Sequence, residues 1–78
     1  MNEKTTIERL NLLFCELFDD DSIVITLDTA AADIDGWDSI MQIHLLTAIE
    51  SDFHIKFSIH EVIEFQNVGD IIHAIQSK

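Results

Sequence analysis

Proline and tyrosine are absent from the 78 residues, glycine occurs twice and cysteine once. Without proline nothing forces a kink or a stiff linker into the chain, so helices can run uninterrupted. Two glycines, Gly36 and Gly69, are too few for a glycine-rich phosphate loop. A single cysteine excludes an internal disulfide, and Cys15, set among Leu12, Leu13, Phe14 and Leu17 in a helical pattern, reads as a buried structural thiol. Positive charge is scarce too. Four Lys and Arg stand against 15 Asp and Glu, a formal charge of −11, and between Arg9 and Lys56 there is no Lys or Arg but ten Asp or Glu. Such a field repels phosphates, which excludes nucleic acid and anionic membrane surfaces as partners and favours basic protein surfaces. No apolar run approaches the roughly 18 residues of a membrane helix. Glu3 and Glu8 occupy the region where a signal peptide needs apolar residues. A cytoplasmic protein without stable membrane insertion is expected.

What is present is a hydrophobic share of 47%, enough to fold. A chain this short holds one domain, residues 1–78, around one small core. An enzyme cleft would consume most of that core, so a non-catalytic monomer fits better: a carrier, an inhibitor or an adaptor. The spacing predicts four helices. Thr5 and Glu8 form a capping-box pattern ahead of Ile7, Leu10, Leu13, Phe14, Leu17 and Phe18, which recur at helical steps to about Phe18. Asp19, Asp20 and Asp21 end that pattern. The next stretch, Ser22 to Trp37, reads as a long acidic loop with a brief extended piece, pinned to the core by Ile23, Ile25, Leu27 and Ile34. Asp38 caps a second helix running to about Ser51, with Leu45, Leu46, Ile49 and Phe53 as its core stripe. Ser58 and Glu61 open a short third helix with Ile59, Val62, Ile63 and Phe65. Asn67 caps a last one whose Val68, Ile71, Ile72 and Ile75 share a face. The fold class is an all-α four-helix bundle with a long first loop and a short third helix.

The segment that carries chemistry is Gly36-Trp37-Asp38-Ser39-Ile40, at the junction of loop and second helix. Gly36 can take the positive φ of a tight turn and Asp38 can cap the helix, so Ser39 falls in the first turn with its hydroxyl near solvent. A phosphate on Ser39 would sit at the positive end of the helix dipole and needs no basic side chain there. Ile40, Ile43 and Thr47 share another face of the helix, off the core stripe. Apolar residues so placed are read either as a docking patch or as surface scatter at the core edge.

With Asp38-Ser39-Ile40 after an acidic loop and Val68-Gly69-Asp70-Ile71-Ile72 opening the last helix, the chain resembles the acyl carrier protein family from about Glu3 to Ile75. The resemblance implies that 4′-phosphopantetheine, taken from coenzyme A by a phosphopantetheinyl transferase, is attached to Ser39 beside the motif residue Asp38. The arm's thiol would then carry an acyl or aminoacyl thioester. It also implies that partner enzymes meet the face bearing Ile40, Ile43, Thr47 and Glu50. These would be loading ligases, synthases or transferases with basic docking surfaces. The cargo would be half-sheltered among the helices. Compared with fatty-acid carriers, whose second helix is rich in Glu, this one offers only Glu50 and Asp52 beyond the motif. A dedicated polyketide, peptide, cell-envelope or aminoacyl pathway is therefore expected at least as much as fatty-acid synthesis.

Other signals are weaker. Asp33, Asp35 and Gly36 fit three positions of a calcium loop, but its two ends would be Ala31 and Gln42, so no metal site is assigned. Loose cation binding by Asp19, Asp20 and Asp21 stays open as charge relief. His44, His54, His60 and His73 lack the spacing of a zinc site and read as partly exposed structural residues. The competing function is an acidic helical adaptor or inhibitor that is never pantetheinylated.

Overall fold

The computed structural model describes residues 2–78 and contains four α-helices: α1 (Glu3–Phe18), α2 (Ser39–Phe53), α3 (Ile59–Glu64) and α4 (Val68–Gln76). A single 3-10 turn, Ala31–Asp33, interrupts the loop between α1 and α2. No strand forms among the described residues, and the stretch with Ile23, Ile25 and Leu27 belongs to the loop.

The first helix starts three residues earlier than the capping box predicts. Asn2 is the N-cap, its Oδ1 accepting the Thr5 N–H at 2.8 Å, which leaves Thr5 and Glu8 inside the helix. Thr6, fully buried, turns its hydroxyl onto the Asn2 carbonyl. At the other end Asp19 adopts φ 51°, and its N–H and that of Asp20 close onto the last turn. The second helix starts at the predicted cap and runs two residues past Ser51, stopping where His54 takes φ 57°. Both caps predicted for α3 and α4 are present: Ser58 with Glu61 as a reciprocal capping box, and Asn67 accepting the Asp70 N–H.

Against α1 pack α2 and α4. Leu10 and Phe14 of α1, Leu45, Leu46 and Ile49 of α2, and Val68, Ile71, Ile72 and Ile75 of α4 form the core, closed by Ile25 and Trp37 from the loop. Each side chain buried this way is worth about 1.5–3 kcal/mol. No residue of α3 is fully buried, Ile59 and Ile63 are exposed, and the helix stops at Glu64, so that Phe65 is its C-cap and lies outside the expected helix. Cys15 is only half-buried, its sulfur near the Ile23 carbonyl, so it is not the enclosed thiol expected.

The long loop is held, but partly by other means than predicted. Ile25 is buried and Ile23 and Ile34 pack on the core, whereas Leu27 is exposed. What binds that stretch is its backbone. The Leu27 and Thr29 carbonyls accept the Gly69 and Val68 N–H groups, each at 2.8 Å. Those are N–H groups of the first turn of α4 that no helical carbonyl can reach. Asn11 completes the anchoring from α1, donating to the Ile23 carbonyl and accepting the Ile25 N–H. A radius of gyration of 11.4 Å equals what an ordinary packed domain of this length shows, about 11.5 Å, so the loop lies folded against the helices.

Candidate functional site

The turn into α2 is made by Gly36, which takes φ 87°, a value that costs a side-chain-bearing residue about 1–2 kcal/mol. Trp37 then drops into the core. Its ring meets Phe14 edge-on at 5.2 Å and tilts against Phe18 at 6.4 Å, and its Nε1–H donates to Gln42 Oε1 at 2.6 Å. With Trp37 fixed, Asp38 is set at the N-cap, where its Oδ1 accepts the Met41 N–H at 2.9 Å. Ser39 follows as the first helical residue. It is exposed, and its hydroxyl has no hydrogen-bond partner among the described residues.

Ser39 stands on the wall of an open groove of about 520 Å³ bounded by α2, α3 and the start of α4. Trp37, Ile43, Val62, Phe65 and Ile71 supply apolar walls, and Gln42, Gln66 and Asn67 supply polar ones. Sequence reasoning found Ser39 and Asp38 but missed Gln42, which it met only as a failed calcium ligand. Three residues after Ser39 and five after Trp37, Gln42 sits where a helix sets it beside the serine.

Ile40 and Ile43 are each 67% exposed, and Thr47, also exposed, turns its hydroxyl back to the Ile43 carbonyl. The fourth residue assigned to this face is different. Glu50 is half-buried, with its Oε2 accepting the Phe57 N–H at 2.8 Å, so its carboxylate serves the connection into α3 and is not an open surface charge.

Among the described residues no three His, Cys, Asp or Glu side chains gather as metal ligands. Two of the loop acids are already engaged. Asp20 accepts from the Ser22 hydroxyl and N–H, which holds its carboxyl below the usual range, and Asp33 caps the 3-10 turn through the Ala30 N–H. All four histidines are exposed. No helix among the described residues is long and apolar enough to cross a membrane.

With this geometry, the comparison with known proteins is decisive: residues 8–75 match the family described as phosphopantetheine attachment site. The chain belongs to that family. This carrier also superposes on the solution NMR structure of a holo acyl carrier protein from Geobacter metallireducens with a TM-score of 0.88 and 41% identity. The match covers 94% of the present chain and 84% of that one. No curated protein sequence matches it. Family and fold together make it a phosphopantetheine-bearing carrier with an all-α fold, and they lend no support to an unmodified acidic adaptor. Carrier domains of this kind are generally non-catalytic, and they work with a phosphopantetheinyl transferase and with biosynthetic enzymes.

Proposed function

We propose that Ser39 is the attachment point of the 4′-phosphopantetheine arm, and that the arm's thiol carries an acyl or aminoacyl group between partner enzymes. The observation that carries this reading is the position of Ser39. It is an exposed hydroxyl without a protein partner among the described residues, at the first position of α2 and on the wall of the groove. The residues fit the group. The Ser39 and Ile40 N–H groups, the two of the first turn of α2 that Asp38 does not take, offer a phosphodiester donors at the positive end of the helix dipole. Asp38 adds no free carboxylate oxygen pair, because one oxygen already caps Met41. Apolar walls interspersed with carboxamides suit an arm that alternates methyl, methylene and amide groups.

Ile40, Ile43 and Thr47, exposed on the helix that Ser39 opens, form the surface a partner enzyme would meet, and Glu50, bound to the Phe57 N–H, lies one turn beyond Thr47 on the same helix. Those partners are a phosphopantetheinyl transferase and an acyl- or aminoacyl-loading enzyme, and the carrier acts as a cytoplasmic monomer that catalyses nothing itself. Fatty-acid, polyketide, peptide and cell-envelope synthesis all use such a carrier.

The test is intact mass after incubation with coenzyme A and a broad-specificity transferase. Wild type should gain one phosphopantetheinyl group, and Ser39→Ala, folded by circular dichroism, should gain none. Modification of the alanine variant would move the site elsewhere.

A further inference from the structure

Two carboxamides on the groove have their oxygens already committed. The Trp37 indole N–H can only donate, so the Gln42 atom it meets at 2.6 Å is the amide oxygen. The Asp70 backbone N–H can likewise only donate, which fixes the Asn67 atom at 2.9 Å as oxygen. In both side chains the NH2 is therefore the end left over, and neither NH2 has a protein partner among the described residues. Gln42 belongs to the first turn of α2 and Asn67 caps α4, yet both line the groove that starts at Ser39.

The rest of the lining decides what such donors could bind. No Lys, Arg or His lies on it, so an anionic group would find no counter-charge. Its single acid, Asp38, is held on the Met41 N–H. Trp37, Ile43, Val62, Phe65 and Ile71 offer apolar contact only. A neutral acceptor flanked by apolar atoms matches this set, and a carbonyl oxygen within a carbon chain is such a group.

We propose that the NH2 groups of Gln42 and Asn67 bind neutral carbonyl oxygens in the groove. These belong either to the amides of the arm or to an oxo group of the cargo. The proposal rests on the carrier reading of Ser39 and deepens it. Beyond its thioester carbonyl a saturated acyl chain would gain apolar contact alone, whereas a chain with an oxo group would present one more acceptor for directed hydrogen bonds.

Gln42→Glu and Asn67→Asp keep the oxygen that Trp37 or the Asp70 N–H requires and replace the NH2 by a second, charged oxygen, so that the donor is lost while the existing contact remains. Side-chain amide signals of Gln42 and Asn67 would be followed by proton–nitrogen NMR in the apo, holo, butyryl and 3-oxobutyryl forms, with intact mass confirming each form. If the arm is the ligand, the NH2 protons of wild type move downfield on going from apo to holo. If the oxo group of the cargo is the ligand, they move only in the 3-oxobutyryl form; movement that first appears in the butyryl form would assign the thioester carbonyl and overturn the oxo-group assignment. In either case the rise in melting temperature that accompanies the shift should be lost in the double variant, each loaded form being compared with the apo form of the same protein. Confirmed loading with no NH2 movement in any form would overturn the proposal alone. A chain that never acquires the arm would overturn the carrier reading and this proposal with it.

Discussion

Gly69 shows how one residue can invert an ordinary expectation. Alanine in place of a helical glycine normally stabilises by roughly 1 kcal/mol. A Cβ at Gly69, however, would stand 3.0 Å from the Leu27 carbonyl oxygen and 3.2 Å from Asn67 Oδ1, the atoms that tie the loop and cap α4. Overpacking of that kind costs about 1–3 kcal/mol. Gly69→Ala should therefore lower the urea midpoint, and a midpoint at or above that of wild type would show that the loop tie yields freely. Ile72 gives the opposite kind of case. It is completely buried at the centre of α4, so Ile72→Asp places an unpaired carboxylate in the core. Loss of the helical circular dichroism signal at room temperature is expected.

Among the elements, α3 is the weakest. Six residues are too few to form a helix unaided. None of the six is fully buried, and the helix is held by its capping box, by Lys78 on Glu61 at 2.7 Å, and by the Phe57–Phe65 edge contact at its two ends. Its amides should show the lowest protection of the four helices in hydrogen exchange. Equal protection of α3 and α4 would mean that these contacts hold more than their burial suggests. The sequence disclosed this architecture unevenly, for physical reasons. Local signals were legible: the caps Asp38, Ser58 and Asn67, the stripe Leu45, Leu46 and Ile49, and the stripe of α4 all follow from spacing along a single helix. The loop tie was not. It joins Leu27 to Gly69 through backbone atoms, and backbone groups leave no trace in residue type. For the same reason the site divided. Ser39 and Asp38 were visible in a local motif, while the groove depends on α2, α3 and the start of α4 converging. Glu50, readable as a surface acid, was claimed by a backbone N–H seven residues away.

For the molecule as a whole, charge is what no single contact answers. A formal −11 on 78 residues repels itself, and only Arg9–Asp52 and Lys78–Glu61 pair opposite charges among the described residues. Added salt, which shortens the screening length to about 8 Å near 0.15 M, should raise the melting temperature. A flat response would show that the acids lie too far apart to matter. Acid acts in two directions. Lys78, then the Ser58 N–H, holds the Glu61 carboxyl below its ordinary 4.5. A lowered folded value contributes stability that is present above 4.5 and lost as the pH falls through that folded value. Protection of α3 relative to α1 should accordingly drop on acidification, even as neutralised acids relieve the global repulsion. The chain contains one tryptophan and no tyrosine, and that tryptophan is a wall of the groove, hydrogen-bonded through its indole nitrogen to Gln42. Near-ultraviolet emission of the entire protein thus originates beside Ser39, so the colour and intensity of that light report the state of the groove without any label.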